Sequence, residues 1–575
     1  MMTMMGPHST LEEVLADPRA RELLGDALGD ALGDLPPGRR VQPISIALLL
    51  GDVPRARAAR IEADLGTVPR ASGDHGPALA VDADYADPGA PASAVVRLPD
   101  TASVHRPVEI RFEGHSVGNP FVDVEFSADI VDPQGSVRRV GGFYDGNGAH
   151  LLRFLPETPG EWTFVTESNA RSLAGIRGAV RVAEGTAHGV VRVADRFGFA
   201  HADGTVFVPV GTTLYAWTHQ SEDLQRRTLA TLEAAPFTKV RMCLFPKWYD
   251  FTHVEPELLP FARDGDGYDT TRFDPAFFRA LERRIRDLDE LGIQADLILF
   301  HPYDKWGFSD LGPAVDERYL RYVVRRLAAQ PNVWWSLANE YDFLPSKDVD
   351  DWNRLAEVVQ EEDPAAHLLS IHNGVHPFDP DSPWTTHASL QRCDSIRSTD
   401  VAVEVRRRWG RPVVFDEPGY EGDIEWEWGN VTATEVVRQF WEAMTGGTYV
   451  THGEVYRNER EELFWSKGGE LVGEAPARIA FLSEVVAASP SGRLDPIRSG
   501  LQGHVGGVAE QYEVQYLGLS QPRSLTLVVP EGRRAAIDVL DTWAMTVEPL
   551  PGIHEGTVTV PLPGRPSLAV RMRAL

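Results

Sequence analysis

The sequence predicts a multidomain chain built around a (β/α)8 TIM barrel, with a helical segment and a β-sandwich before it and a small C-terminal β-domain after it. Three observations predict this. The 575 residues exceed the size at which one hydrophobic core keeps growing, so several domains are expected. Between residues 188 and 490 apolar strand candidates alternate with helical stretches, eight strands in about 300 residues, which is the count and size of a (β/α)8 barrel. On both sides of that region the pattern changes to short strands separated by turn residues.

Residues 1–90 form the first unit. Ser9-Thr-Leu-Glu-Glu is a helix start, and the helix it opens runs from Leu11 to Leu35 and stops at Pro36-Pro37-Gly38. A tetrapeptide repeat inside it sets Leu24, Leu28 and Leu32 on one stripe, while its glycines weaken the helix. Shorter helices follow at Ile44–Leu50 and Val53–Leu65. The segment Ser72–Pro91, rich in Gly, Pro, Asp and Ala, reads as a linker.

Residues 91–187 carry strand candidates at Val95–Leu98, Val108–Phe112, Val122–Phe126, Ala149–Phe154 and Trp162–Val165, with turns at Asp132-Pro-Gln-Gly and Asp145-Gly-Asn-Gly. Such spacing indicates a β-sandwich. Arg153-Phe-Leu-Pro followed by Gly160-Glu-Trp-Thr-Phe resembles immunoglobulin-like accessory domains.

In the barrel region, 188–490, the strand candidates are Phe207–Gly211, Lys239–Leu244, Ile293–Phe300 and Asn332–Ala338, then Leu368–Ile371, Trp384–His387, Val413–Phe415 and Thr448–Thr451. Helical stretches such as Pro275–Leu291, Glu317–Ala329, Val349–Glu362 and Thr432–Thr445 lie between them. Residues 491–575 return to strands, at Ser524–Val529, Ala536–Leu540 and Gly556–Val560.

Composition narrows the function. The net charge of −28 disfavours nucleic acid, which requires a basic stripe. The dense arginines at 283–286 and 406–408 read as solvated helix faces. Cys243 and Cys393, the two cysteines, lack CxxC spacing, so a zinc knuckle is excluded. The first residues show neither a basic n-region nor an apolar h-region, and the run Ile44–Leu50 is too short to span a bilayer. A soluble, cytoplasmic protein with no membrane partner is expected, and oligomerisation is compatible with the composition.

The active site of such a barrel lies at the C-terminal ends of its strands. Strand one runs into Tyr215 and Trp217. Strand two contains Arg241 and runs into Pro246-Lys-Trp248. Strand three ends in His301-Pro-Tyr-Asp304-Lys-Trp306, and strand four in Asn339-Glu340-Tyr341-Asp342. Strands five and six end near His372 and His387. Strand seven ends in Asp416-Glu417 and then Tyr420-Glu421, and strand eight in His452-Gly-Glu454. Aromatic rings that stack on sugar faces, beside polar groups that bind hydroxyls, suit a small carbohydrate. Glu340 and Glu417 stand apart, because strands four and seven face one another across the barrel mouth.

Trp335-Ser-Leu-Ala-Asn-Glu340 and Phe415-Asp-Glu417 resemble the signature of clan A glycoside hydrolases. The order of parts resembles bacterial proteins in which DUF5060 and DUF5605 domains flank a DUF4038-like barrel. Phe300-His-Pro-Tyr-Asp-Lys-Trp-Gly-Phe and Asp416-Glu-Pro-Gly-Tyr-Glu fit that group. The resemblance covers the chain from about residue 95 onward. It implies that Glu340 is the general acid/base and Glu417 the nucleophile of a retaining glycosidase. Carboxyls about 5–5.5 Å apart give double displacement with retention. Asn339 would bind the hydroxyl beside the anomeric carbon, and Arg241 would keep Glu417 ionised. Tyr215, Trp217, Trp248, His301, Asp304, Trp306, Tyr341, His372, His387 and Tyr420 are further candidates for sugar contact. Clan members often carry a Trp at the end of strand eight. Here His452 and Glu454 stand there, and Trp465 in the following loop is the candidate substitute.

Two other readings compete. A metal-dependent barrel hydrolase would use the strand-end histidines, but no His-x-His occurs at strand one and no His-Glu-x-x-His on a helix; no metal and no cofactor is expected. A catalytically inactive carbohydrate-binding barrel is opposed by the intact Glu pair. Asp304, Asp342, Glu421 and Glu425 are further acids near the mouth, any of which could take the acid role if the strand register slips. The expected substrates are oligosaccharides or glycosides attacked in exo fashion, as β-pyranosides or pentofuranosides.

Overall fold

A computed structural model describes residues 5, 9, 11–24, 53–68, 85 and 93–575, apart from 115, 249–253, 392–395, 397, 458–462 and 501–502. Its centre is an eight-stranded parallel barrel. The strands, in chain order, are Val210–Thr213, Lys239–Cys243, Gln294–Phe300, Val333–Ala338, Leu369–Ser370, Ala388–Gln391, Val413–Glu417 and Tyr449–His452. The first pairs in parallel with the eighth. A bridge between His372 and Ser389 joins the fifth strand to the sixth and completes the ring. The sixth strand begins where the sequence pattern had placed its end, so the run Trp384–His387 precedes it.

Strand alternation sorts this barrel into two layers. Val240, Met242, Ala295, Leu297, Val333, Trp335 and Phe415 face the helices and join the main core. Lys239, Arg241, Asp296, Ser336 and Asp416 turn inward and bond to one another. Of the adjacent tryptophans, Trp335 donates its indole N–H to Asp363 in the helical layer. Trp334 caps the barrel's N-terminal end, where it packs on Phe199, Phe207 and Tyr449. A three-stranded antiparallel sheet of Val191–Ala194, Gly198–His201 and Val206–Phe207 supplies that seal.

The β-sandwich pairs a sheet of Val95–Arg97, Val108–Glu113, Phe143–Tyr144 and Ala149–Phe154 with one of Phe126–Val131, Val137–Gly141, Gly160–Ser168 and Arg177–Val182. Phe112, Phe126, Trp162 and Phe164 lie in its core. Residues 122–125 are not strand as the pattern suggests. Pro120 starts a single helical turn, Pro120–Asp123, and the Asp123 carboxylate accepts the Asn119 N–H. The sandwich is fixed to the barrel by buried ion pairs: Arg153 and Arg326 both meet Glu282, and Arg326 also meets Asp145.

The C-terminal region forms a six-stranded antiparallel sheet and a two-stranded one. Tyr516 stacks on Trp441 of the barrel helix Ala433–Thr445, with ring centroids 5.4 Å apart. At the N-terminus the expected helix from Leu11 breaks at Asp17 into Leu11–Ala16 and Pro18–Leu24. Pro18 cannot continue the hydrogen-bond ladder, and Asp17 instead accepts the Ala20 N–H. The helix Arg55–Leu65 matches the third expected helix; the stretches predicted at 25–35, 44–50 and 72–84 lie outside the described residues, as does Cys393. Among the described residues no helix is long and apolar enough to cross a membrane.

Candidate active site

The floor of the site is a ladder of buried charges. Lys239 donates to Asp296 (2.6 Å) and Asp416 (2.8 Å). Ser389 and Thr451 donate to the two Asp416 oxygens. After the cost of burial, the nearby Lys239 and Arg241 hold the Asp416 carboxyl well below its ordinary range. Arg241 reaches Asp296 and Ser336 and donates to Asn339 Oδ1 at 3.1 Å. That bond fixes the orientation of the Asn339 amide, whose Nδ2 is left without a partner among the described residues. Among the described residues Arg241 makes no hydrogen bond to Glu417; it reaches the site through Asn339.

Glu340 follows in a left-handed backbone conformation, φ 48° and ψ 54°, which costs a non-glycine residue energy and is tolerated where neighbours enforce it. Those neighbours are visible. The Asn339 N–H donates to Phe300 O, and the Tyr341 N–H to His372 O. Tyr303, from the loop after strand three, donates its hydroxyl to Glu340 Oε2. Burial, and next the charge of Glu417, raise the Glu340 carboxyl to about 7; Lys247 and the Tyr303 hydrogen bond act the other way.

Glu417 ends strand seven and accepts the hydroxyl of Tyr215. Tyr420 lies beside it, its hydroxyl 3.3 Å from that of Tyr215. His372 Nε2 is 4.0 Å from Glu417 Oε1, and its Nδ1 is 3.0 Å from Ser389 Oγ. Burial first, and then Arg241, push this imidazole well below its ordinary range, so it is neutral. The Lys247 ammonium sits 4.1 Å from the ring centres of both Tyr215 and Tyr303, a cation–π arrangement beside the two carboxyls.

Tyr303 and Lys247 are the residues that sequence reasoning passed over. Both stand in the strand-end runs, beside residues selected for sugar contact, and only the folded geometry singles them out.

The remaining candidates scatter. Trp248 and Trp306 meet edge to face, 6.4 Å apart, near Lys305. Trp217 is enclosed in the main core. His301 is a scaffold group: its Nε2 lies 3.0 Å from Phe245 O, and its Nδ1 accepts the Tyr303 N–H. Asp304 accepts the N–H groups of Trp306 and Ser309, and Tyr341 donates to His376 O. Asp342 accepts three backbone N–H groups, from Gly374, Val375 and His376. The sequence had put His387 at a strand's C-terminal end. It precedes strand six instead, and packs on Phe199 and Trp334 at the sealed end of the barrel.

Strand eight likewise departs from expectation. Thr451 faces inward to Asp416, so His452 turns outward by alternation. Its ring stacks on Phe237 and its Nδ1 lies 3.3 Å from Thr212 Oγ1. Trp465 donates to that same Thr212 hydroxyl from within the core, and does not take the place of a strand-eight platform. Glu454 accepts the N–H groups of Val472 and Gly473.

Comparison with known proteins follows the same three parts. The domain of unknown function DUF5060 matches residues 101–169, the apiosidase-like catalytic domain 194–462, and the domain of unknown function DUF5605 502–573. A candidate glycoside hydrolase from Bacteroides vulgatus ATCC 8482 is 37% identical with a TM-score of 0.78; the match covers 83% of this chain and 100% of that one. A glycoside hydrolase family 5 structure from the same organism is 15% identical with a TM-score of 0.54, covering 67% of this chain and 94% of that one, and shares the fold. No curated protein matches the sequence.

Proposed function

The chain belongs to the glycoside hydrolases that join DUF5060, an apiosidase-like barrel and DUF5605, and from that premise we propose that it is a retaining glycosidase with Glu417 as nucleophile and Glu340 as general acid/base. The observation that carries this reading is the placement of two buried carboxyls just past strand four and at the end of strand seven, Glu340 held by Tyr303 and Glu417 by Tyr215. Glu340 is raised to about 7 by burial and by the charge of Glu417, which suits an acid that must be protonated near neutral pH.

In the first step Glu417 attacks the anomeric carbon, while Glu340 gives its proton to the departing oxygen. The leaving group departs as an alcohol and a glycosyl ester remains on Glu417. In the second step Glu340, now ionised, takes a proton from water, which displaces the ester and restores both carboxyls. Asn339, oriented by Arg241, offers its free Nδ2 hydrogens to the hydroxyl beside the anomeric carbon.

The substrate is a small glycoside or oligosaccharide cleaved in exo fashion, either a β-pyranoside or a pentofuranoside. The match of residues 194–462 to the apiosidase-like catalytic domain favours the pentofuranoside. A panel of p-nitrophenyl glycosides, with the anomer of the first product read by NMR, tests the reading. Retention is expected. An inverted first product, or no turnover across both sugar classes, overturns it.

A further inference from the structure

Behind the carboxyl pair, three buried side chains converge from separate elements. Glu421 comes from the short strand after Glu417, while His452 and Glu454 come from the end of strand eight and the strand that follows. Glu421 and Glu454 are paired in register. One donor atom from each of the three residues lies within 4.8 Å of the other two, and all three residues are buried. Neither carboxylate has a lysine or arginine partner among the described residues. By contrast, Asp296 and Asp416 share Lys239, and Glu282 is held by Arg153 and Arg326.

Backbone and tyrosine donors reach all four oxygens of this pair, and the two inner ones, Glu421 Oε2 and Glu454 Oε2, accept one backbone N–H each, from Ala475 and Gly473. Glu421 accepts from Tyr456, Glu474 and Ala475, and Glu454 from Val472 and Gly473. The two inner oxygens converge where Gly473 has no side chain; a Cβ there would lie 2.5 Å from both Glu421 Oε2 and Glu454 Oε2.

The imidazole points to a ligand independently of the acids. His452 Nε2 is fully enclosed, has no hydrogen-bond partner among the described residues, and lies 3.8 Å from Glu454 Oε2. Its other nitrogen is held by Thr212, whose hydroxyl is itself fixed by the Trp465 indole. That is the arrangement in which a histidine offers its free nitrogen to a metal: the far ring nitrogen gives its proton to an oxygen and sets the tautomer.

We propose that Glu421, His452 and Glu454 bind a divalent cation. One nitrogen and two carboxylate oxygens suit a borderline ion of the zinc or manganese class rather than calcium, which takes oxygen ligands alone. Donors about 2.1 Å from one ion sit at most about 4.2 Å apart, so closure by roughly half an ångström completes the set. The ion ties the segment after strand seven to the end of strand eight and to the start of the helix Ala475–Ala487. Its role is structural: it holds the backbone that carries Tyr420, and it takes no part in bond cleavage. The proposal does not depend on the glycosidase reading.

Metal analysis of the purified full-length protein, before and after EDTA dialysis, tests it, together with melting curves with and without added Zn2+ or Mn2+. The wild type is expected to hold about one ion per chain. Stripping should lower Tm by roughly 2–4 °C, and adding the ion back should restore it. Glu454→Gln and His452→Gln should bind no ion and melt independently of chelator and metal. A wild type that holds no ion and does not respond to either metal overturns the proposal and leaves a carboxyl pair joined by a shared proton. An undiminished response in both variants overturns it too, by placing the ion elsewhere. If a variant does not fold, the wild-type stoichiometry and melting response decide.

Discussion

Tyr303 donates its hydroxyl to Glu340, and so favours the ionised form of a carboxyl that burial and Glu417 drive toward the protonated one. The balance leaves Glu340 titrating at about 7. Activity that needs its proton should therefore be full below neutrality and fall as pH rises through 7. Tyr303→Phe removes the group favouring ionisation, so the alkaline limb of the kcat/KM profile should move to higher pH while the maximum falls about 10-fold. A lower maximum with an unmoved limb would reduce Tyr303 to a packing role.

Separate roles for the two carboxyls make their alanine variants distinguishable. Glu417→Ala and Glu340→Ala should each lose about three orders of magnitude or more in kcat on substrates with poor leaving groups. With an activated aryl glycoside, Glu340→Ala should recover in azide and give a glycosyl azide of retained configuration. Glu417→Ala should give the inverted azide. Product anomers read by NMR check the assignment, and the opposite pairing would exchange the two roles.

The same titration bears on stability. Glu340 ionises at about 7 in the folded chain against an ordinary 4.5, so its folded-state pKa is raised. Below pH 4 the group is neutral in both states and costs nothing through its charge. As pH climbs past 4.5 the unfolded chain releases its proton first, and the penalty on the folded state grows until about pH 7, where it levels off. Glu340→Gln should therefore be more stable than wild type at pH 8, by on the order of 2 kcal/mol, and show no such gain at pH 4. Melting curves at the two pH values decide.

Where the sandwich meets the barrel, Glu282 serves two buried arginines, Arg153 and Arg326. Arg153 and Arg326 hold this carboxyl well below its usual range, against the effect of burial. Glu282→Ala leaves both guanidiniums short of their buried partner and should cost about 3–5 kcal/mol. Denaturant unfolding measures the loss. Activity at low temperature should persist, because Glu282 bonds to Arg153 and Arg326 and to neither carboxyl.

The barrel and the carboxyl pair were legible because both depend on local patterns. Val333–Ala338 and Val413–Glu417 are buried along their whole length, so each reads as an apolar run with an acid at its end or two residues past it. Strand six gave no such signal. Its four residues include Ser389, which faces inward to Asp416, whereas the more apolar Trp384 belongs to a loop pinned to Asn353. That mismatch is what moved His387 to the wrong end. Trp217 and Trp465 were placed at the mouth for another reason: an indole looks alike in sequence whether it lines a cleft or, as these two do, fills the core. Tyr303 and Lys247 could be located near the mouth, but their pairing with Glu340 and the two tyrosine rings joins segments that only the closed barrel brings together.

The left-handed backbone at Glu340 bears on how descendants of this chain would drift. Glycine or asparagine relaxes that conformation at once, and either one abolishes the acid. A lineage released from selection for turnover thus has a short mutational path to a calmer backbone, one that leaves Tyr215, Tyr303 and Asn339 in place.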